Sequence, residues 1–163
     1  MSVAFRREGD DEHLEPTFEL PIPHGPNLVT ARGLALIAGR VIGLEADLAA
    51  LGERDKDDAQ AKAVKRDLRY WQTRQITAEL APAPSGETVE IGTEVTFLHN
   101  GKERTMAIVG HDEADPAAGS IGFAAPLARA LIGAEVGEAI DFAGREGAIT
   151  VRAIKIVPQG ENA

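Results

Sequence analysis

The sequence predicts an α+β protein in two unlike parts. Residues 28–80 read as an antiparallel α-helical coiled-coil hairpin, and residues 89–158 as an antiparallel sheet carrying one short helix. Three observations predict this. Two apolar series with the 3,4 spacing of a heptad seam follow one another across a short polar run. Residues 81–88, APAPSGET, form a Pro/Gly linker. Beyond the linker the apolar period drops toward two, and Asn100-Gly101 supplies a hairpin-turn signal.

Residues 1–27 carry six acids and two bases among Pro16, Pro21, Pro23 and Pro26. Proline this dense blocks helix and central strand alike, so an extended or disordered arm is expected. Phe5, Phe18, Leu20 and Ile22 are its candidate anchor points; composition alone favours a solvated tail. Thr30 then stands where the N-cap of a long helix belongs. Leu34, Ile37, Val41, Leu44, Leu48 and Leu51 follow at spacings of 3 and 4. Gly33, Gly39 and Gly43 each cost an isolated helix about 1 kcal/mol, so this helix needs a partner.

The partner comes after Gly52 and the polar run to Asp58. Ala61, Val64, Leu68, Trp71, Gln75 and Ala78 repeat the same spacing. Matched seams across a short turn predict two helices side by side. Trp71 is expected opposite Gly39 or Gly43, which would explain glycine in the helix interior.

Past the linker, Val95 and Phe97 alternate with Thr96 and Leu98, and the Asn-Gly turn leads into Thr105 to Val109. Residues 120–123, 139–142 and 148–157 are further strand candidates. In the last, Ile149, Val151 and Ala153 share one face while Ile154 and Ile156 fall on the other, which predicts a bulge or burial on both sides. Pro126 suits the first turn of a short helix, and Gly133 suits its left-handed end. Leu127, Ala130 and Leu131 fall on one face between them.

Composition bounds the function. The net charge is −9, which disfavours grip on free nucleic acid by counterion release. The absence of cysteine excludes disulfides and thiolate metal sites and fits a reducing cytoplasm. No signal peptide is expected from MSVAFRREGDDEH, and no apolar run approaches the roughly 20 residues of a membrane span. His13, His24, His99 and His111 are too scattered for a helical ligand pair.

Charge is unevenly placed on the hairpin. Residues 45–58 hold six acids against Arg54 and Lys56, and residues 59–78 hold five bases against Asp67. Lys62, Lys65, Arg66 and Arg69 avoid the seam and share the outer face of the second helix. Taken alone this is a solvated surface with favourable charge pairs.

The spelling of residues 108–137 adds a resemblance. Ile108-Val109-Gly110, Asp112-Glu113-Ala114-Asp115, Gly119-Ser120-Ile121, Pro126 to Gly133 (PLARALIG) and Val136-Gly137 occur in one order. This resembles the C-terminal domain of the Gre-type transcript cleavage factors, bacterial proteins that bind RNA polymerase. Ala125, Ala134 and Glu138 stand where that family usually has Ser, Lys and Asp. The resemblance implies an FKBP-like C-terminal domain at 89–158 that docks on RNA polymerase core through Asp112, Glu113, Asp115, Pro126 and Arg129. It implies a hairpin entering the secondary channel in the cytoplasm, with no membrane partner. Acids at the hairpin tip would help polymerase hold a second Mg²⁺ and cut backtracked RNA. The basic face, Lys62, Lys65, Arg66 and Arg69, would guide the RNA 3′ end.

The chain would bind no metal or cofactor alone and have no catalytic residue of its own. The family's tip motif is absent; Asp55-Lys56-Asp57-Asp58 stands there. Asp55 with Asp58, or Asp57, takes the place of its acids, and both registers stay open. So do two outcomes, cleavage stimulation or non-cleaving modulation of transcription. An FKBP-like isomerase or chaperone is disfavoured by the shortage of aromatics after residue 89, which are Phe97, Phe123 and Phe142. A kinase regulator with the same architecture is the remaining alternative.

Overall fold

The computed structural model describes residues 18–52 and 58–159. Asp55 and Asp57 lie outside the described residues. The chain is mixed α+β. A two-residue strand β1 (Leu28–Val29) leads into α1 (Ala31–Ala50), and α2 (Ala59–Thr77) leads into β2 (Glu79–Leu80). β1 and β2 pair with each other in parallel, which ties the start of α1 to the end of α2.

Thr30 caps α1 as expected, its hydroxyl accepting from the Gly33 amide at 3.0 Å. Gly52, in the left-handed region at φ 65, follows the C-cap Leu51. At 1.5 Å per residue, α1 is about 30 Å long. The seam residues Ile37, Val41, Ala61 and Leu68 are buried where the two helices pack together. Two expectations fail. Nothing lies within 4 Å of a Cβ added to Gly39 or Gly43, so neither faces Trp71. Trp71 instead lies under Arg40, whose guanidinium carbon is 5.7 Å from the ring centre. Gln75 is exposed, and its neighbour Arg74 takes the inward place.

The linker ends at Val89, the first fully buried residue of the C-terminal core. Five strands follow: β3 (Thr93–His99), β4 (Lys102–Val109), β5 (Ser120–Gly122), β6 (Ala139–Phe142) and β7 (Arg145–Ile156). Their order in the sheet is β5-β4-β3-β7-β6. Asn100 and Gly101 both take positive φ, as a tight β3–β4 turn requires. Between Thr96↔Ala153 and Phe97↔Val151, β7 carries one extra residue, Arg152. This bulge returns Ile154 to the core side beside Ile149 and Val151. The sheet is not wholly antiparallel: β5 joins β4 in parallel. The acidic turn folds into two 3-10 turns (His111–Glu113 and Pro116–Ala118) that carry the chain back before β5 begins. A parallel neighbour needs such a crossover.

Helix α3 (Pro126–Leu131) starts on its proline and is followed by left-handed Gly133. Ala128 and Leu131 are buried against Phe97, Ile108 and Ile149. No residue of α1 or α2 belongs to this core. The helix pair and the sheet domain therefore have separate apolar interiors among the described residues.

Candidate functional site

The candidate site residues fall in three places. The tip is the 51–58 connection. Asp58 is the N-cap of α2, its carboxylate accepting from the Gln60 amide. That bond offsets one orphan donor of the first turn.

The basic face runs along α2. Lys62 is exposed and Lys65 half-buried. Arg66 donates from Nε and Nη2 to Asp67 at 3.1 and 2.9 Å. Arg69 holds Glu19 of the N-terminal arm, Nη2 to Oε1 at 2.6 Å. This hydrogen bond pulls the Glu19 carboxyl below its ordinary value. Glu19, in the described part of the arm, thus lies at the basic face, an outcome that the arm's proline content alone did not indicate.

The third place is the C-terminal domain. Pro126 and Arg129 are exposed on α3, and Asp115 is exposed on the acidic turn, where its side chain accepts from the Ala118 amide at 3.4 Å. An open, mainly apolar cavity of about 410 Å³ lies close by. Pro23, His24 and Pro26 of the arm form one wall and Phe123 to Ala125 another.

Asp112 and Glu113 turn inward, away from that exposed face. Asp112 accepts from Arg74 Nε at 2.6 Å through one oxygen and from the Tyr70 hydroxyl through the other. Tyr70 and Arg74 are one helical turn apart, so both reach the same carboxylate. The ion pair is dry, with the two side chains 3% and 5% exposed. Arg74 also donates Nη2 to Asn27 Oδ1 at 2.6 Å, and Asn27 Nδ2 returns a bond to the Arg74 carbonyl at 2.8 Å. A buried charge is tolerable only when paired and hydrogen-bonded in this way. Burial pushes the Tyr70 hydroxyl up to about 12, with the Asp112 hydrogen bond and charge adding to the rise and Arg74 opposing it.

Glu113 accepts from the Thr30 hydroxyl at 2.6 Å, so the α1 cap is also a link to the sheet domain. A Cβ on Gly33 would stand 2.9 Å from Glu113 Oε2, and one on Gly110 would stand 2.7 Å from the Leu28 carbonyl oxygen. Glycine at both positions lets the two bodies approach.

Sequence reasoning missed Tyr70 and Asn27, and read Arg74 as a base of α2 at a spot that resembles an Arg of the family, without a partner for it. The available signal was the Tyr70/Arg74 spacing beside the seam.

Comparison with known proteins bears on the sheet domain. Residues 83–158 match the family model described as "Transcription elongation factor, GreA/GreB, C-term". A transcription elongation factor GreA of Lactococcus lactis subsp. cremoris is 40% identical over 72 residues, 43% of this chain and 46% of that protein. The GreA of Hyphomonas neptunium is 42% identical over 74 residues, covering 44% and 47% of the two chains. That of Desulfovibrio desulfuricans is 36% identical over 97 residues, covering 57% and 60%. The chain thus spans about half the length of the curated relatives it matches. Among solved structures, the GreA factor homolog 1 (Gfh1) of Thermus thermophilus aligns with 80% of this chain and 99% of its own. Identity there is 21% and the TM-score 0.36, too loose a superposition to carry the fold assignment. Family model and relatives agree on one likeness: residues 83–158 are similar to the GreA/GreB C-terminal domain.

Proposed function

We propose that this protein is a transcription elongation factor that binds RNA polymerase core and reaches its active centre through the secondary channel. The supporting observation is the arrangement of parts. A domain similar to the GreA/GreB C-terminal domain carries, on its acidic turn, a helix pair about 30 Å long, and Asp58 caps α2 at its far end, where the sequence joining the helices also holds Asp55 and Asp57. The FKBP-like domain docks on the enzyme's exterior through Pro126, Arg129 and Asp115. The coiled-coil hairpin enters the channel. Asp112 and Glu113 serve this docking indirectly, by holding the hairpin.

At the tip the chain's own contribution is carboxylate oxygen. In this reading the acids complete a shell that polymerase mostly provides. Magnesium fits such a donor set, since it takes hard oxygen and needs only one or two protein carboxylates. Asp55 and Asp57 would help hold the ion, which would supply a water of lowered pKa for cleavage of the RNA. Lys62 and Lys65 lie where they attract the phosphates of the displaced RNA 3′ end.

Asp58 favours keeping a second reading. Its carboxylate is engaged as a helix cap, which leaves Asp55 and Asp57 as the acids to present. A tip that presents too few acids would occupy the channel and modulate transcription without cleavage.

The test uses a backtracked elongation complex with 5′-labelled RNA. Shortening of the RNA on addition of the protein, abolished by Asp55→Asn with Asp57→Asn, is expected for a cleavage factor. Altered elongation without shortening selects the modulator. Failure to co-elute with polymerase core at all overturns both.

A further inference from the structure

No residue of the helix pair belongs to the sheet-domain core, and at the junction the buried Val29 meets Gly110, so directed polar contacts carry much of their mutual direction. Among the described residues, the polar contacts between them are few. Tyr70 and Arg74 meet Asp112, Thr30 meets Glu113, and the Arg32 amide meets Gln159 Oε1 at 3.2 Å. Arg32 Nε stands 4.0 Å from Glu113 Oε1. Gly110, just before the turn, has the backbone of Leu28 against it. Apart from Gln159, the sheet-domain side of this mounting is residues 110–113.

Apolar contact is non-directional, whereas hydrogen bonds weaken steeply when misaligned. A dry carboxylate holding one donor on each oxygen tolerates little rotation. Both of its donors come from α2, while the neighbouring Glu113 takes its donor from the first residue before α1. The two helices are thereby fixed to adjacent residues of a single 3-10 turn.

We propose that Asp112 and Glu113, with Tyr70, Arg74, Asn27 and Thr30, form an orienting joint that sets the angle of the helix pair on the C-terminal domain. These are positioning residues. They touch neither RNA nor metal, and they aim the tip. The aiming role rests on the proposed channel function; the fixed angle does not.

The cysteine-free sequence allows two spin labels to be placed cleanly, at Ala46→Cys on α1 and Glu146→Cys on β7. Electron–electron distance measurement on the free full-length protein is expected to give one narrow distance. Asp112→Asn, which keeps the side chain's size, is expected to broaden or shift it, with circular dichroism and sheet-core melting unchanged. Tyr70→Phe, which removes one hydrogen bond, is expected to give an intermediate width. A broad distance in the parent protein, or an unchanged narrow one in both variants, would overturn the joint. With polymerase, Asp112→Asn is expected to retain co-elution while its tip-dependent effect falls about tenfold. If the parent protein never binds polymerase, the channel reading fails and the free-protein distances still judge the joint.

Discussion

Thr30 caps α1 and, in the same act, fastens it to the sheet domain: its oxygen accepts from Gly33 and its proton goes to Glu113. Asp58 is the simpler cap at the start of α2. Asp58→Ala is expected to cost about 1 kcal/mol in urea unfolding, and Asp58→Asn almost nothing, since asparagine caps equally well. Equal losses from both would show that the charge, not the cap, matters there. Tyr70 carries a pH signature. Its folded-state value is raised from 10.0 to about 12, so the folded state holds the proton more tightly. Its contribution is complete below about pH 10 and is lost as pH rises through 12. The stability gap between the parent and Tyr70→Phe is therefore expected to be flat up to about pH 10 and to shrink above it. A gap that stays constant to pH 12 would mean that the hydroxyl is not held by Asp112.

Among the elements, the glycines separate two kinds of position. Gly39 and Gly43 sit on α1 with open space where a Cβ would go. Gly39→Ala and Gly43→Ala are each expected to raise stability by about 0.5–1 kcal/mol through helix propensity alone. Gly110 is the opposite case, because its Cβ would press on a backbone oxygen. Gly110→Ala is expected to destabilise by about 1–3 kcal/mol, the range of overpacked sites. Thermal melts of the three variants decide it, and a loss at Gly39 or a gain at Gly110 would contradict the packing.

These contrasts also mark what was legible in the sequence. The Thr30 cap, the helix seams, the Asn-Gly turn and the α3 ends rest on spacings of a few residues and could be read; the β7 bulge is one of two readings that the spacing leaves open, and Asp58, read as a tip acid, proves to be the cap of α2. The parallel docking of β5 could not, because it depends on how two 3-10 turns redirect the chain. The Arg74–Asp112 and Thr30–Glu113 links join residues 38 and 83 apart, beyond any local periodicity. For the candidate site, the acids and bases could be named from the sequence. That Asp112 and Glu113 face the helices while Asp115 and Arg129 face solvent needed coordinates. The seam also misled at its end, where Arg74 replaces Gln75 inside because a buried partner awaits it.

For the whole molecule, the division of labour follows from two small interiors joined by a polar mounting. The sheet domain has its own core and carries the match to the GreA/GreB C-terminal family model. The helix pair has a thin seam, with Asp47 and Asp58 near its end opposite the β1–β2 pair. A single globule with one shared core would hold its acids near its own surface. In this chain a rod and a base remain distinct, and the joint between them decides where the tip points.

Site-specific photo-crosslinking within the complex with polymerase core tests this arrangement most directly, with one reactive residue placed at Gly52 beside the tip and another at Arg129 on α3. Tip crosslinks to the polymerase catalytic centre, together with α3 crosslinks confined to the enzyme's exterior, are the expected result. Tip crosslinks only to the exterior, or none to polymerase from either position, would contradict a helix pair that enters the channel.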